Sequence, residues 1–565
     1  MATRTLAYCA LGALVSVVAA CGSGTGPQGA APTISSVTPT TGTVGTELTI
    51  SGTNFRTGVE VKLDSLTATG VQLSGDTVYA SVPSGVTADT AYTVTVRNTD
   101  GTQATLAGAF TPVAPVLQFV NSATKPSGNT GSTVIIEGDA FGDAQGTGQV
   151  LFSDGSGGTI AATIASPGDW TDTFIVTTVP SSAATGPIAV MTGTGTSDSL
   201  TFTITQNATF SPSAITWKTT QDLPVAMSGH HALYVPIDDA SGQTIQYVFV
   251  TGGAGNDSVP LADVNVATIQ NNGTLSGWTT LTALPAGRAF HRSVAATPFN
   301  SKVKGSGYLY VLGGIETKGG DPVTTIYRAT LANDGTIGSW TNVGDLPQAL
   351  HSFGVALFRS TIYVAGGATT GNAPVADVYS ARIDTLGNLS TWRTENSLPS
   401  ARAYLGFDTF GGYLYAIGGE TGTVDPNDAG YTNNNTKLSE VDYAKVDLRT
   451  DTLGAWTLNA SAMTKARTKQ SSLVAGGALF ESAGLYAAAG TGSSENIYAT
   501  INSDGTVASF NGATGSNTLV SVGGVDLFNH AAVVYQDASG VSHVMILGGD
   551  DVNSPGTKQV KVLYY

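Results

Sequence analysis

Tyr310-Val311-Leu312-Gly313-Gly314 decides the fold: an apolar strand that runs straight into a pair of glycines. The same figure stands at Val248-Phe249-Val250-Thr251-Gly252-Gly253, Tyr363-Val364-Ala365-Gly366-Gly367, Tyr415-Ala416-Ile417-Gly418-Gly419 and Met545-Ile546-Leu547-Gly548-Gly549. A sixth copy, decayed, reads Tyr486-Ala487-Ala488-Ala489-Gly490. The copies are about 50–70 residues apart, a spacing that fits one four-stranded sheet repeated around an axis. Paired glycines allow a sharp turn and a close backbone approach where such repeats converge.

Working outward, each repeat carries an aromatic residue: Trp217, Trp278, Trp340, Trp392, Trp456 and Phe510. Leu-Pro follows at 223–224, 284–285, 346–347 and 398–399. The aromatic belongs on a fourth strand, filling the gap between neighbouring sheets, and the proline opens the next loop. This set of residues resembles the kelch repeat over residues 207–565 and implies a six-bladed β-propeller. The segment 214–219 is a lone strand, and Gln559–Tyr565 is a third strand without a fourth. The first should therefore complete the last blade and hide both sheet edges.

Two shorter modules precede the repeats. Gly45-Thr46-Glu47-Leu48-Thr49-Ile50-Ser51-Gly52-Thr53-Asn54-Phe55 alternates with period two, as does Tyr92–Arg97, between Gly and Pro turn signals. Gly131-Ser132-Thr133-Val134-Ile135-Ile136-Glu137-Gly138-Asp139-Ala140-Phe141 repeats the first motif almost position for position. Short strands at this spacing make Ig-like sandwiches, and both copies resemble the IPT/TIG domain. The expected fold class is all-β: two Ig-like sandwiches, 32–113 and 114–206, then the propeller 207–565. In bacterial surface chains this resemblance implies spacers.

Residues 1–20 hold one basic residue, Arg4, and an apolar run from Leu6 to Ala20, too short to span a bilayer. The run ends Val18-Ala19-Ala20-Cys21-Gly22, which resembles the lipobox of bacterial lipoproteins. That resemblance implies cleavage before Cys21 and acylation of its thiol and amino group, a stable anchor where one chain would be marginal. Residues 21–31 then form a flexible tether, and Gly22 rather than Asp implies the outer membrane, facing the surface. Both cysteines, Cys9 and Cys21, lie in this leader, which leaves the body without disulfides, a cysteine nucleophile or a thiolate metal site.

The formal net charge of −16, with no basic run, argues against nucleic-acid partners. The six histidines all fall in the propeller, and the repeat spreads His231, His291, His351 and His530 around a ring, so a structural role is expected rather than a metal centre. Acidic segments at Glu420–Lys437 (Asp425, Asp428, Asn433–Asn435) and at Asp550, Asp551 and Asn553 could hold Ca²⁺ but lack its regular ligand spacing, so solvated loops are the expected reading. No cofactor other than such Ca²⁺ is expected. Arg288 and Arg402 stand three residues after the proline of Leu-Pro, and Arg467 holds the matching place. In kelch propellers that bind acidic ligands such arginines line the channel mouth. The other reading is a consensus residue holding a neighbouring loop.

The expected function is lipid-anchored surface binding or adhesion, with a glycan, peptide or protein as partner. The kelch resemblance also includes enzymes. Copper oxidases of this type need a cysteine joined to tyrosine, which the propeller lacks; an acidic-sugar mutarotase stays open, with the three arginines and Glu316 or Glu420. A structural coat is the third class. If Cys21 is the anchor, Cys21→Ser should move the protein from the detergent phase to the aqueous phase in a phase-partition assay of cells making the full chain.

Overall fold

The computed structural model describes residues 29–121, 126–204, 217–239, 241, 243–296, 307–384, 386–424, 435–447, 450–486, 495–502, 504–512, 527–537, 541–551 and 562–564. Their regular elements are strands, apart from one 3-10 turn, Pro167–Asp169. The leader, Cys21 and most of the tether lie outside the described residues. Residues up to Val113 form one compact unit and Ala114–Tyr565 another.

The first unit is a two-sheet sandwich. Thr33–Thr38, Glu47–Thr53, Thr77–Ser81 and Thr69–Ser74 form one sheet in that order. Thr41–Gly42, Gln103–Pro112, Tyr92–Arg97, Glu60–Leu63 and Leu66–Thr67 form the other. Alternation sets the faces: Leu48 and Ile50 are buried, whereas Glu47 is exposed and Thr49 and Ser51 are half-buried. The buried pair packs with Val61, Val78, Val94 and Phe110.

The second unit opens with the other sandwich. Val116–Val120, Thr133–Asp139 and Phe174–Thr178 form one sheet; Leu200–Ile204, Gly186–Thr192 and Gln149–Ser153 are the middle of the other. Ile136, Phe152, Trp170, Val190 and Phe202 fill the space between them, and Trp170 Nε1 donates to Phe141 O at 3.0 Å.

Six antiparallel blades follow, five of them four-stranded and the fourth carrying an extra short strand, Thr452–Leu453. Blade 2 shows the plan: Arg292–Ala296 innermost, then Gly307–Leu312, Thr325–Leu331 and Thr341–Asp345. The other innermost strands are His231–Asp238, Gly354–Phe358, Gly406–Phe410, Ser471–Ala475 and Ala531–Gln536, for blades 1, 3, 4, 5 and 6. The tryptophans on the outer side join blades as expected. Trp340 Nε1 donates to Thr282 O at 2.9 Å and Trp456 Nε1 to Asn396 O at 2.8 Å, each in the preceding blade. Lys218–Thr219 pairs with Val562–Tyr564 and supplies the outer strand of blade 6. The first and last described strands of the propeller therefore pair to close the ring as read from sequence; residues 214–216 lie outside those described.

Two belts of backbone hydrogen bonds close around the axis. In the first, N–H groups of Gly229, Phe290, Ser352, Tyr404, Lys469 and Asn529 each donate to the carbonyl of the equivalent residue one blade back, Gly229 to Asn529, at 2.8–3.4 Å. All six residues are left-handed, with φ between 50° and 59°. In the second belt, Gly253, Gly314, Gly367, Gly419, Gly484 and Gly549 donate to Arg288, Leu350, Arg402, Arg467, Leu527 and Met227 O in the next blade, at 2.7–3.0 Å. Gly314 shows why glycine is needed: at φ +85° a Cβ would stand 2.7 Å from Ala289 O and 2.6 Å from His291 Cβ.

This belt corrects the reading of blade 5. Its turn is Ala483-Gly484, after the strand Ala478–Ser482, and not the stretch 486–490. Glu481 and Ser482 break the apolar pattern by which the other copies are recognised. The histidine register also shifts. Residues just after the first belt are His230, His291 and His530, so His231 is one place late and His351 two places early.

The second sandwich is docked on the propeller. The turn between the first two strands of blade 3 carries Arg359, whose Nη1 lies 3.0 Å from Asp451 of blade 4 and whose Nε lies 3.9 Å from Glu137 of the sandwich. Its guanidinium covers the Phe174 ring at 5.3 Å. Ile135 packs into one cluster with Phe358, Tyr363 and Ala356, and Val176 lies against it. Strand direction places this contact at the end of the blades opposite the Gly-Gly turns. Glu137 is 1% exposed, and removing Arg359 would take a cation away from a buried acid. Arg359→Ala should cost about 3 kcal/mol and split the denaturant unfolding of the second unit into two transitions, read by tryptophan fluorescence.

Candidate functional site

The arginines singled out in the sequence are placed by the belts. Arg288, Arg402 and Arg467 stand two residues before the left-handed position, where Met227, Leu350 and Leu527 stand in the other blades. All three are 0% exposed. Each backbone carbonyl accepts from the preceding blade's second belt glycine, while the side chain turns into its own blade. Arg288 Nη1 donates to Gly313 O at 2.6 Å, and its Nη2 lies 2.9 Å from Glu316. Arg402 Nη2 donates to Ser400 Oγ, Glu440 and Asp442 at 2.7, 2.9 and 2.8 Å. Arg467 Nη1 donates to Ala483 O at 3.2 Å and lies over the Tyr486 ring at 5.4 Å. The three are not brought together, and none presents its guanidinium to solvent. Their geometry is that of clips which hold a blade to itself and to its neighbour.

The other polar candidates are also engaged. Glu420 is 3% exposed and lies 4.0 Å from Lys437 Nζ. Asp550 Oδ2 accepts from Asn529 Nδ2 at 3.1 Å. Asp425, Asp428, Asn433, Asn434 and Asn553 lie outside the described residues, among which no group of three His, Cys, Asp or Glu is placed to hold a metal. Thr251 Oγ1 meets His291 Nε2 at 2.9 Å and Ser293 Oγ at 2.6 Å, a buried hydroxyl–imidazole chain that no substrate reaches. Burial pushes His230 down to about 4 and His530 down to about 3, so both are neutral wall residues.

The side chains that the first belt presents at the axis were missed in the sequence. They are Phe290, Ser352, Tyr404, Lys469 and Asn529, with Gly229 contributing none. Phe290 and Tyr404 meet edge to face, with ring centroids 6.0 Å apart. Lys469 Nζ lies 4.6 Å from the Tyr404 ring centroid and 5.9 Å from that of Phe528. Ala254, Ala289, Ile315, Ala368, Ala403 and Val424 form one apolar cluster with Phe290 and Tyr404. A signal existed: the belt residue is the fifth after the proline of Leu-Pro in blades 1 to 4. Its identity differs in every blade, so a search for recurring residue types passes over it.

Blade 5 also holds a buried acid. Glu481 is 0% exposed, and its Oε2 accepts from Ser472 Oγ at 2.5 Å. Burial pushes its carboxyl up to about 8, and Asp408 up to about 6. Glu481 does not face solvent as a general base in an open cleft would.

The family profile of the IPT/TIG domain matches residues 32–111, so the first sandwich is an IPT/TIG domain. Beta-scruin of Limulus polyphemus is 30% identical over 124 residues, 21% of this chain. The match spans only 13% of that relative's length. The solved structure titled "Structure of YjhT" is 12% identical, with a TM-score of 0.42, over 61% of this chain and 96% of its own.

Glu481 gives the propeller a pH dependence of definite sign. The folded chain keeps a proton that the unfolded chain releases, so this contribution is present below about 4.5 and lost as pH rises toward about 8. Glu481→Gln should therefore raise the thermal midpoint relative to the parent at pH 8, and the difference should shrink toward pH 5.

Proposed function

We propose that the chain is a lipid-anchored surface receptor of a bacterial envelope. In this reading Cys21 carries the acyl chains, residues 22–31 form the tether, and the propeller captures a glycan, peptide or protein partner at its axis. The anchor, the outer-membrane address and the partner class rest on the sequence resemblances given above. The fold itself hosts many functions, so the site must carry the argument.

One observation carries it: the belt at the Gly-Gly end of the propeller holds four non-glycine residues other than asparagine in the left-handed region. Phe290, Ser352, Tyr404 and Lys469 have φ of 53–57° where Gly229 makes the same turn without a side chain. Each such residue costs about 1–2 kcal/mol over glycine. The side chains therefore contribute something beyond closing the ring: an aromatic pair and an ammonium, with the Ser352 hydroxyl held on His351 Nδ1 and the Asn529 amide on Asp550. That set suits recognition of a polar ligand with a flat or apolar face. The second sandwich occupies the opposite end under blades 3 and 4, which leaves it clear of the belt.

Thermal unfolding of the full chain with acidic sugars, neutral glycans, acidic peptides and Ca²⁺ tests the reading. A ligand at ~100 times its Kd should add about 2.7 kcal/mol, and Phe290→Ala or Tyr404→Ala should abolish that gain. A panel without any shift would favour a structural coat.

A further inference from the structure

The aromatic pair at the axis is not open to solvent. Phe290 is 5% exposed and Tyr404 4%, although the receptor reading asks both to meet a partner. The cluster in which they lie shows what packs on them. Five of its other members belong to the ring framework: Ala289 and Ala403 stand just before belt residues, and Ala254, Ile315 and Ala368 follow Gly-Gly turns. Each pairs by backbone across that seam, Ala289 with Ile315, Ala254 with Ser228, Ala368 with His351 and Ala403 with Glu420. Val424 is the exception, because it comes from the loop that leaves blade 4 after Glu420.

That loop differs from its counterparts. Ala254 and Pro260, Ile315 and Pro322, and Ala368 and Pro374 close short hairpins, whereas the equivalent pair in blade 4 is Glu420 and Lys437. Gly422 and Thr423 are exposed, yet Val424 is 0% exposed, so the chain turns inward at one residue. Val424 N–H donates to Asn372 O at 2.9 Å, in the hairpin of blade 3, and the loop thereby crosses to the blade before its own. Asn372 is left-handed at φ 60°, with its Oδ1 3.3 Å from His351 Nε2. Asn435 Nδ2 donates to Thr423 O at 2.7 Å, and Thr421 N–H to Thr436 O at 3.0 Å. The framework is held by two closed belts of hydrogen bonds, but Val424 is held at the axis by its side chain and the bond to Asn372. Local opening of such a segment does not require the ring to open.

We propose that the loop is an autoinhibitory strap: Val424 occupies the axial site from within, and a partner binds by displacing it with an aliphatic side chain carried on an extended peptide. This deepens the receptor reading and rests on it. The resident occupant defines the partner's chemistry. Val424 gives a β-branched side chain to the aromatic cluster and a backbone N–H to Asn372 O, and a peptide strand supplies both in the same covalent arrangement. Without a partner, the strap keeps two aromatic rings out of water that an open throat would expose. A competitor in the same chain reduces apparent affinity by the fraction of time it is released, so a strap open less than about a tenth of the time weakens binding at least about tenfold.

Saturation-transfer NMR of the full chain with acetyl-Thr-Gly-Thr-Val-amide, a copy of residues 421–424, reads this exchange. Val424→Asp places a charge that an apolar cluster does not hold, and the folded variant should bind the peptide about tenfold tighter than the parent. Adding Tyr404→Ala should remove the gain, and acetyl-Thr-Gly-Thr-Asp-amide should bind neither chain. Val424→Thr keeps the shape but buries a hydroxyl; it should give a smaller gain and decides the matter if circular dichroism shows Val424→Asp unfolded. In the parent, segment 421–424 should exchange its amide hydrogens at least about tenfold faster than belt segment 402–406. Equal exchange of the two segments would overturn the strap. Equal peptide affinity in parent and folded variants, abolished by Phe290→Ala, would also overturn it and leave the receptor reading standing. A folded Val424→Asp chain that binds a glycan of the panel above, and not the peptide, would overturn the aliphatic-peptide assignment. One that binds no probe at all would count against both.

Discussion

Six hydrogen bonds between residues of identical role hold the propeller's centre, and most of what the chain does follows from them. Each belt residue donates its N–H to the blade behind and offers its carbonyl to the blade ahead. A cycle of this kind can exist only if every member takes the left-handed backbone, and all six do. Glycine and asparagine reach that region readily, yet only two of the six are of those types. The belt therefore imposes strain on Phe290, Ser352, Tyr404 and Lys469, sustained by the surrounding ring, and it aims five different side chains at one axis. Architecture and candidate chemistry share one set of residues.

The second belt explains the arginines. A residue two places before the left-handed position gives its carbonyl to the preceding Gly-Gly turn, and its side chain is then enclosed between blades. Met, Leu and Arg all fill that place in this chain. An arginine there must find acceptors inside the protein, and Glu316, Glu440, Asp442 and the turn carbonyls serve as those acceptors. Burial thus turns residues that look functional in a charge-poor sequence into clips. Arg292, only four residues beyond Arg288, opens the innermost strand of its blade and is only half-buried.

Docking of the second sandwich also left a trace in the sequence. Leu48-Thr49-Ile50-Ser51 alternates as a strand with one wet face should. The equivalent Val134-Ile135-Ile136-Glu137 is apolar on both faces until a single acid, and all four residues are buried. Ile135 and Glu137 are the residues that meet the propeller, Ile135 in the apolar cluster and Glu137 at Arg359. Read against its own first copy, the strand announces a covered outer face, though not what covers it.

The sequence by itself determined the all-β class, the two sandwiches, the count of six blades and the closure of the ring by its first strand. These are properties of periodicity: an apolar strand ending in Gly-Gly, an aromatic on the outer strand and a two-residue alternation are local and repeat. What only the tertiary structure decided was the blade 5 turn, the register of the histidines, the fate of the three arginines and the identity of the axial side chains. Each depends on which residues from blades far apart in the chain share one axis, and on whether a charge placed there finds a partner. Phe290, Tyr404 and Lys469 come from blades 2, 4 and 5, and no local pattern in the chain records that their side chains meet.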